Sequence, residues 1–65
     1  MKKSGERLHK LRAERGLTLR ELALRTGIAY SSLAQYESGA RNPRDEAKIR
    51  LAEFFGKSVQ EIFFD

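Results

Sequence analysis

Thr18-Leu19-Arg20-Glu21, with Gly27 six positions beyond, confines one stretch of this chain more tightly than any other feature. A Thr followed by Glu three residues on is a capping box: the hydroxyl accepts a first-turn backbone N–H while the carboxylate reaches back to the amide of the capping residue. Gly27 is the next position able to turn the chain left-handed at little cost. A helix is therefore expected to begin at Leu19 and close near Thr26. So short a helix does not stand alone in water, where even good helix formers need about 12–15 residues. It has to be held by packing, and the rest of the chain must supply the neighbours.

Those neighbours are readable on both sides. Upstream, a helix is expected over 5–15, with Leu8 and Leu11 forming an inward stripe and Gly16 ending it. Downstream, a short helix is expected over 30–37, closed by Gly39. Asn42-Pro43 reads as a cap followed by proline at the first helical position, where the missing N–H costs nothing, so a fourth helix should open there and end at Gly56. Ser58-Val59-Gln60-Glu61 is a second capping box and starts a fifth helix carrying Val59, Ile62 and Phe63. There is no β-alternation, internal repeat, low-complexity run or linker. The expected fold is all-α: one compact five-helix domain over residues 1–65.

Size and composition narrow the function. A chain of 65 residues buries only about 60% of the surface its unfolded form exposes, so a large enzyme cleft is not expected. Without cysteine there is neither a disulfide framework nor a thiolate metal site, which fits a reducing compartment. No run of 18 apolar residues exists, and Met1-Lys2-Lys3 leads into charged sequence rather than an apolar leader. A cytoplasmic protein is expected, with no membrane partner. The net charge of +4 is uneven: residues 1–44 carry ten Lys/Arg against four Glu, while residues 45–65 carry three against five acids. That asymmetry suits a polyanion on one face, the plain alternative being a solvated surface with scattered arginine.

The third helix gives the polyanion a shape. At ~100° per residue, Tyr30, Ser31, Ala34 and Gln35 fall on one side and Ser32, Leu33 and Tyr36 on the other. Leu33 and Tyr36 are expected to pack inward. The face left outside is polar, free of acids and free of bulky aliphatics. A DNA major groove admits one α-helix and offers donors, acceptors and thymine methyls. Gln35 suits an adenine edge, Ser31 suits either type of partner, and Ala34 or Tyr30 suits a thymine methyl. Arg41 and Arg44 flank this helix and are suited to backbone phosphates. Two helices joined by a turn at Gly27 make a helix-turn-helix over about 18–38.

The run GERLHKLRAERGLTLRELALRTGIAYSSLAQYESGARNPR, continuing through LAEFFGKSVQEIFF, resembles the XRE-type helix-turn-helix regulators of the Cro and phage-repressor kind. The similarity covers residues 5 to 64. Its most specific parts are Leu-Thr-x-x-Glu-Leu-Ala, the turn glycine, Tyr-Glu-x-Gly and Asn-Pro. The resemblance implies a lambda-repressor-like domain that binds double-stranded DNA without cofactor, metal or evident small-molecule effector. It implies base contacts from Tyr30, Ser31 and Gln35. It implies phosphate contacts from Ser32 and Asn42, a sugar-phosphate or narrow minor-groove contact from Arg44, and an ion pair between Arg12 and Glu37. Three departures stand out. Leu19 replaces a glutamine common in the family, so that phosphate contact would rest on the helix N-terminus with Arg20 helping. Ala29 stands where a Ser or Thr cap is usual, forfeiting roughly 0.5–2 kcal/mol. Asp45 and Lys48 replace apolar residues, which suggests a less tightly packed first turn of the fourth helix.

Other signals are weaker. His9 has no second histidine or cysteine to join it and reads as a solvent-facing helix residue. Ser31-Ser32 lacks a base and an orienting acid, so no catalytic residue is expected and the chain does not read as an enzyme. Glu6/Lys10 and Glu21/Arg25 are ordinary surface spacings. Among the four phenylalanines, Phe55 is expected inward and Phe63 over the first or fourth helix, leaving Phe54 and Phe64 as candidates for an exposed patch and a homodimer interface. Dimerisation has its own motive, since a two-fold pair sets two recognition helices one DNA turn, ~34 Å, apart on a pseudo-palindrome. Self-association is expected to use the helical domain itself. The expected function is a transcriptional regulator, a repressor occupying an operator. The rival is a protein-interaction module, such as an antitoxin-like partner, using the Phe-rich end.

Overall fold

Five helices make up the computed structural model, which describes residues 2–64: α1 (Lys2–Glu14), α2 (Leu19–Thr26), α3 (Tyr30–Ser38), α4 (Asp45–Phe55) and α5 (Val59–Phe63). Each sends one fully buried aliphatic side chain to a common interior: Leu8, Leu22, Leu33, Leu51 and Ile62, in that order. Burying a Leu or Ile contributes about 1.5–3 kcal/mol apiece, so no single helix dominates the core. Tyr36, Ala52, Phe55 and Phe63 complete it. α1 packs on α3 and α5, α2 on α3 and α4, and α4 on α5. The short α2 and α3 are thereby held from both sides, as their length requires.

Both capping boxes form. In α2, Thr18 N donates to Glu21 Oε1 at 2.8 Å and Glu21 N to Thr18 Oγ1 at 3.1 Å. In α5 the same reciprocal pair joins Ser58 and Glu61 at 2.8 and 3.0 Å. These amide donors hold both carboxyls below the usual carboxylate range, the backbone N–H being the larger cause.

Two boundaries differ from the sequence reading. α1 begins at Lys2 rather than at residue 5. Gly5 is not a helix start but a point of close approach: a Cβ there would lie 2.6 Å from Tyr36 O and 2.7 Å from Glu37 O, so α1 runs directly against the last turn of α3. α4 begins at Asp45, not at Asn42-Pro43. Pro43 is buried and Arg44 is extended, with φ −75° and ψ 165°. The proline is spent on the interior, and helix entry is left to Asp45 and Glu46, whose charge favours an N-terminus.

Of the phenylalanines, Phe54 departs from the sequence reading. Phe55 and Phe63 are buried. Phe54 is not an open patch: it is half-buried, its ring meets Phe55 edge-on at 5.0 Å, and the Arg15 guanidinium lies 5.1 Å from its centroid. Phe64 is 48% exposed, with Lys48 Nζ 4.9 Å from its ring centre.

Candidate nucleic-acid interface

The turn between α2 and α3 is fastened at several points. Gly27 takes φ 75°, which a residue with a Cβ adopts only at a cost, and its N–H returns to Ala23 O. Thr26 Oγ1 donates to Leu22 O at 2.7 Å and accepts from Ile28 N at 3.3 Å. From α4, Arg50 Nη1 donates to Thr26 O at 3.3 Å while its Nη2 pairs with Glu46 at 3.1 Å. A Cβ on Gly27 would come within 3.1 Å of that guanidinium. Arg50 thus buttresses the turn, a role the sequence reading missed because its partner lies 24 residues upstream.

On α3, Leu33 and Tyr36 are buried, while Tyr30, Ser31 and Gln35 are exposed and Ala34 and Ser32 half-buried. Ala29 offers no side-chain cap. The backbone bond from Leu33 N to Ala29 O opens the helix, and the Arg20 guanidinium sits 4.9 Å from the Tyr30 ring centroid. Leu19 packs its side chain toward the core, and Thr18, Leu19, Arg20 and Tyr30 line one shallow groove where the starts of α2 and α3 meet. At the other end, Arg41 lies over the Tyr36 ring at 5.5 Å and reaches Gln35 Oε1 at 3.3 Å. Each end of α3 therefore has an arginine lying over a tyrosine. Asn42 and Arg44 are exposed in the loop beyond. Arg44 lines a different groove, with Gly27, Ile28, Tyr36 and Arg50.

The single carboxylate of α3 is withdrawn from this face. Glu37 accepts from Arg12 Nε at 2.7 Å and from Nη2 at 3.0 Å, with side-chain exposures of 14% for Arg12 and 9% for Glu37. The third guanidinium nitrogen, Nη1, donates to Leu17 O at 2.7 Å. The hydrogen bonds to Glu37 raise the Arg12 pKa further, against the desolvation that lowers it. His9, exposed as expected, adds a ring nitrogen 3.1 Å from Glu37 Oε1. Withdrawing this charge leaves the outer face of α3 without an acid and with Arg20 and Arg41 at its two ends, a surface that accepts a polyanion.

Leu24, on α2, is 86% exposed, and sequence reasoning passed over it. Among the described residues, no group of three or more His, Cys, Asp or Glu could hold a metal ion, and no helix is long and apolar enough to cross a membrane.

Comparison with known proteins agrees with this geometry. The family model described as "Helix-turn-helix" matches residues 8–62. The chain is 32% identical over 59 residues to the cryptic phage CTXphi transcriptional repressor RstR of Vibrio cholerae, covering 91% of this chain and 53% of that protein. It is 40% identical over 57 residues to the HTH-type transcriptional regulator AnsR of Bacillus subtilis, covering 88% and 49%. The chain spans about half the length of these relatives. No solved structure matches it significantly. With five helices in the lambda-repressor-like arrangement and a family match over most of its length, this chain belongs to the XRE-type helix-turn-helix family of DNA-binding transcriptional regulators.

Proposed function

We propose that this protein is a sequence-specific double-stranded DNA-binding repressor that works in the cytoplasm, on the nucleoid, as a homodimer at a pseudo-palindromic operator. The observation that carries the reading is the outer face of α3: Tyr30, Ser31 and Gln35 exposed, Ala34 beside them, and Glu37 turned away into its pair with Arg12. In this reading those four residues meet base edges. Arg20, Ser32, Arg41, Asn42 and Arg44, with the α2 amide end at Leu19, meet phosphates. The name of RstR as a repressor supports the direction of regulation. For the dimer, exposed Phe64 with half-buried Phe54 is the candidate seam.

A salt-titrated binding series on a site selected from a random duplex pool tests the reading. Arg44→Ala should weaken binding to all sequences alike and lower the salt slope by about 1. Gln35→Ala should cost about 1–3 kcal/mol of discrimination at one base-pair position. Equal loss from Gln35→Ala on every duplex would refute its base contact, and selected sites without symmetric half-sites would refute the dimer. The rival reading, a docking module built on the Phe-rich end, keeps Phe64 as its exposed aromatic, because Phe55 and Phe63 are interior. A stable heterologous partner with no DNA footprint would favour it.

A further inference from the structure

The loop after α3 does not leave the helix but winds back over its last turn. Ala40 N and Arg41 N both donate to Gln35 O, at 3.0 and 3.3 Å, and Ser38 Oγ donates to the same oxygen at 3.1 Å. Arg41 is thereby anchored beside Gln35, six residues away in sequence. Its guanidinium rests 5.5 Å from the ring centroid of Tyr36, itself buried, and Nη1 donates to Gln35 Oε1 at 3.3 Å. Because a guanidinium only donates, that bond fixes which end of the amide meets Arg41: the oxygen, which leaves the NH2 end and its two donors for another partner. An amide is otherwise free to present either end, and a guanidinium carries five N–H donors, of which this contact uses one.

We propose that Gln35 and Arg41 form a single reading unit whose outward edge consists of donors, and that it selects guanine. The inference rests on the DNA-binding reading above. Guanine presents two acceptors in the major groove, O6 and N7, whereas adenine presents one acceptor, N7, and one donor, the N6 amino group. A glutamine on its own favours adenine because its oxygen accepts from N6 while its nitrogen donates to N7. Here the oxygen is engaged by a cation, so the adenine amino group would face donors and a positive charge. Guanine meets the same edge with both acceptors satisfied. Arg41, assigned to phosphate from its flanking position, thus changes what Gln35 recognises.

In-vitro selection from a random duplex pool, with the whole chain and with the variants Arg41→Ala, Arg41→Lys and Gln35→Ala, tests this. Selection is followed by Kd measurements on duplexes changed at single base pairs. The unsubstituted chain should enrich guanine at the position whose preference disappears in Gln35→Ala, with adenine there about tenfold weaker. Arg41→Ala should shift that one position toward adenine and leave the others alone. Arg41→Lys, which keeps a charge for phosphate but lacks the planar fork, should also lose the guanine preference. Adenine selected by the unsubstituted chain at the Gln35-dependent position overturns the proposal. So does an Arg41→Ala variant that binds every duplex more weakly with the preference intact, since that is the signature of a phosphate contact. In both outcomes Gln35 still reads a base. Failure of the underlying reading is different and separable: no sequence enrichment by the unsubstituted chain at all.

Discussion

The four helices α2 to α5 fall into two kinds by how they begin. α2 and α5 start with complete capping boxes, Thr18/Glu21 and Ser58/Glu61, written within four consecutive residues each. α3 and α4 start without any side-chain cap, at Ala29 and Arg44. The self-capped helices include the five-residue α5 and the eight-residue α2, which most need local support. The uncapped α3 carries the proposed DNA contacts and takes its position from elsewhere: Leu33 and Tyr36 in the core, Glu37 in the grip of Arg12, and the 38–41 segment folded onto Gln35. One pair of helices is specified locally and the other by tertiary contact. A helix positioned by contacts on its inner side and at its end keeps its outer face free to vary in sequence.

The most severe way to break this comparison is to remove a tertiary hold on α3. Arg12→Ala strips Glu37 of its bidentate partner while that carboxylate stays largely buried, and it also frees Leu17 O. Stranding a buried charge costs about 3–5 kcal/mol, and the lower end applies because His9 remains beside Glu37. Urea unfolding followed by circular dichroism should register a loss of about 3 kcal/mol. Arg12→Ala with Glu37→Gln should recover part of it, because the stranded charge is gone. A single-variant loss under about 1 kcal/mol, the level of a surface pair, would mean that apolar packing alone holds α3.

The same division explains which features could be read from the chain. Signals confined to a few neighbouring residues were legible: both capping boxes, the left-handed turn at Gly27, and the inward Leu33 and Tyr36 of a 3.6-residue period. The five-helix fold follows from them. Features set by partners distant in sequence were not. Gly5 looks like a helix boundary until the carbonyls of Tyr36 and Glu37 are brought against it. Asn42-Pro43 looks like a helix start, yet the interior takes the proline and the helix begins at Asp45. Phe54 looks exposed until Arg15, thirty-nine positions upstream, lies over its ring and donates to its carbonyl at 3.0 Å. Gln35 and Arg41 each stand out in the sequence as candidate DNA contacts, but the bond between them depends on how the loop winds back, which no local pattern encodes.

Exchanging the caps sharpens the comparison at smaller amplitude. Thr18→Ala removes the hydroxyl that accepts Glu21 N and should cost about 1 kcal/mol. Ala29→Ser gives α3 the cap it lacks and should add up to about 1 kcal/mol. Measured by the same urea unfolding, the two changes should have opposite signs. If Ala29→Ser leaves stability unchanged, the missing cap costs α3 nothing, and the contrast between the two kinds of helix narrows.

The smallest effect concerns pH and isolates the local kind. Glu21 and Glu61 have folded-state pKa values lowered by the backbone amides of Thr18 and Ser58, with the cap hydroxyls second. Below the unfolded value of about 4.3 the unfolded chain binds more protons than the folded one, so stability rises with pH through this window. The contribution is fully present above that value and is lost as pH falls through the folded-state pKa values. Both carboxylates are solvent-exposed, which keeps the contribution small. Glutamine at either position keeps an oxygen for the cap amide but does not titrate, so Glu21→Gln and Glu61→Gln should each flatten the acid limb of a melting temperature against pH curve between about pH 5 and 3. An acid limb of unchanged slope in the double variant would mean that the two capping boxes contribute nothing measurable to the loss of stability at low pH.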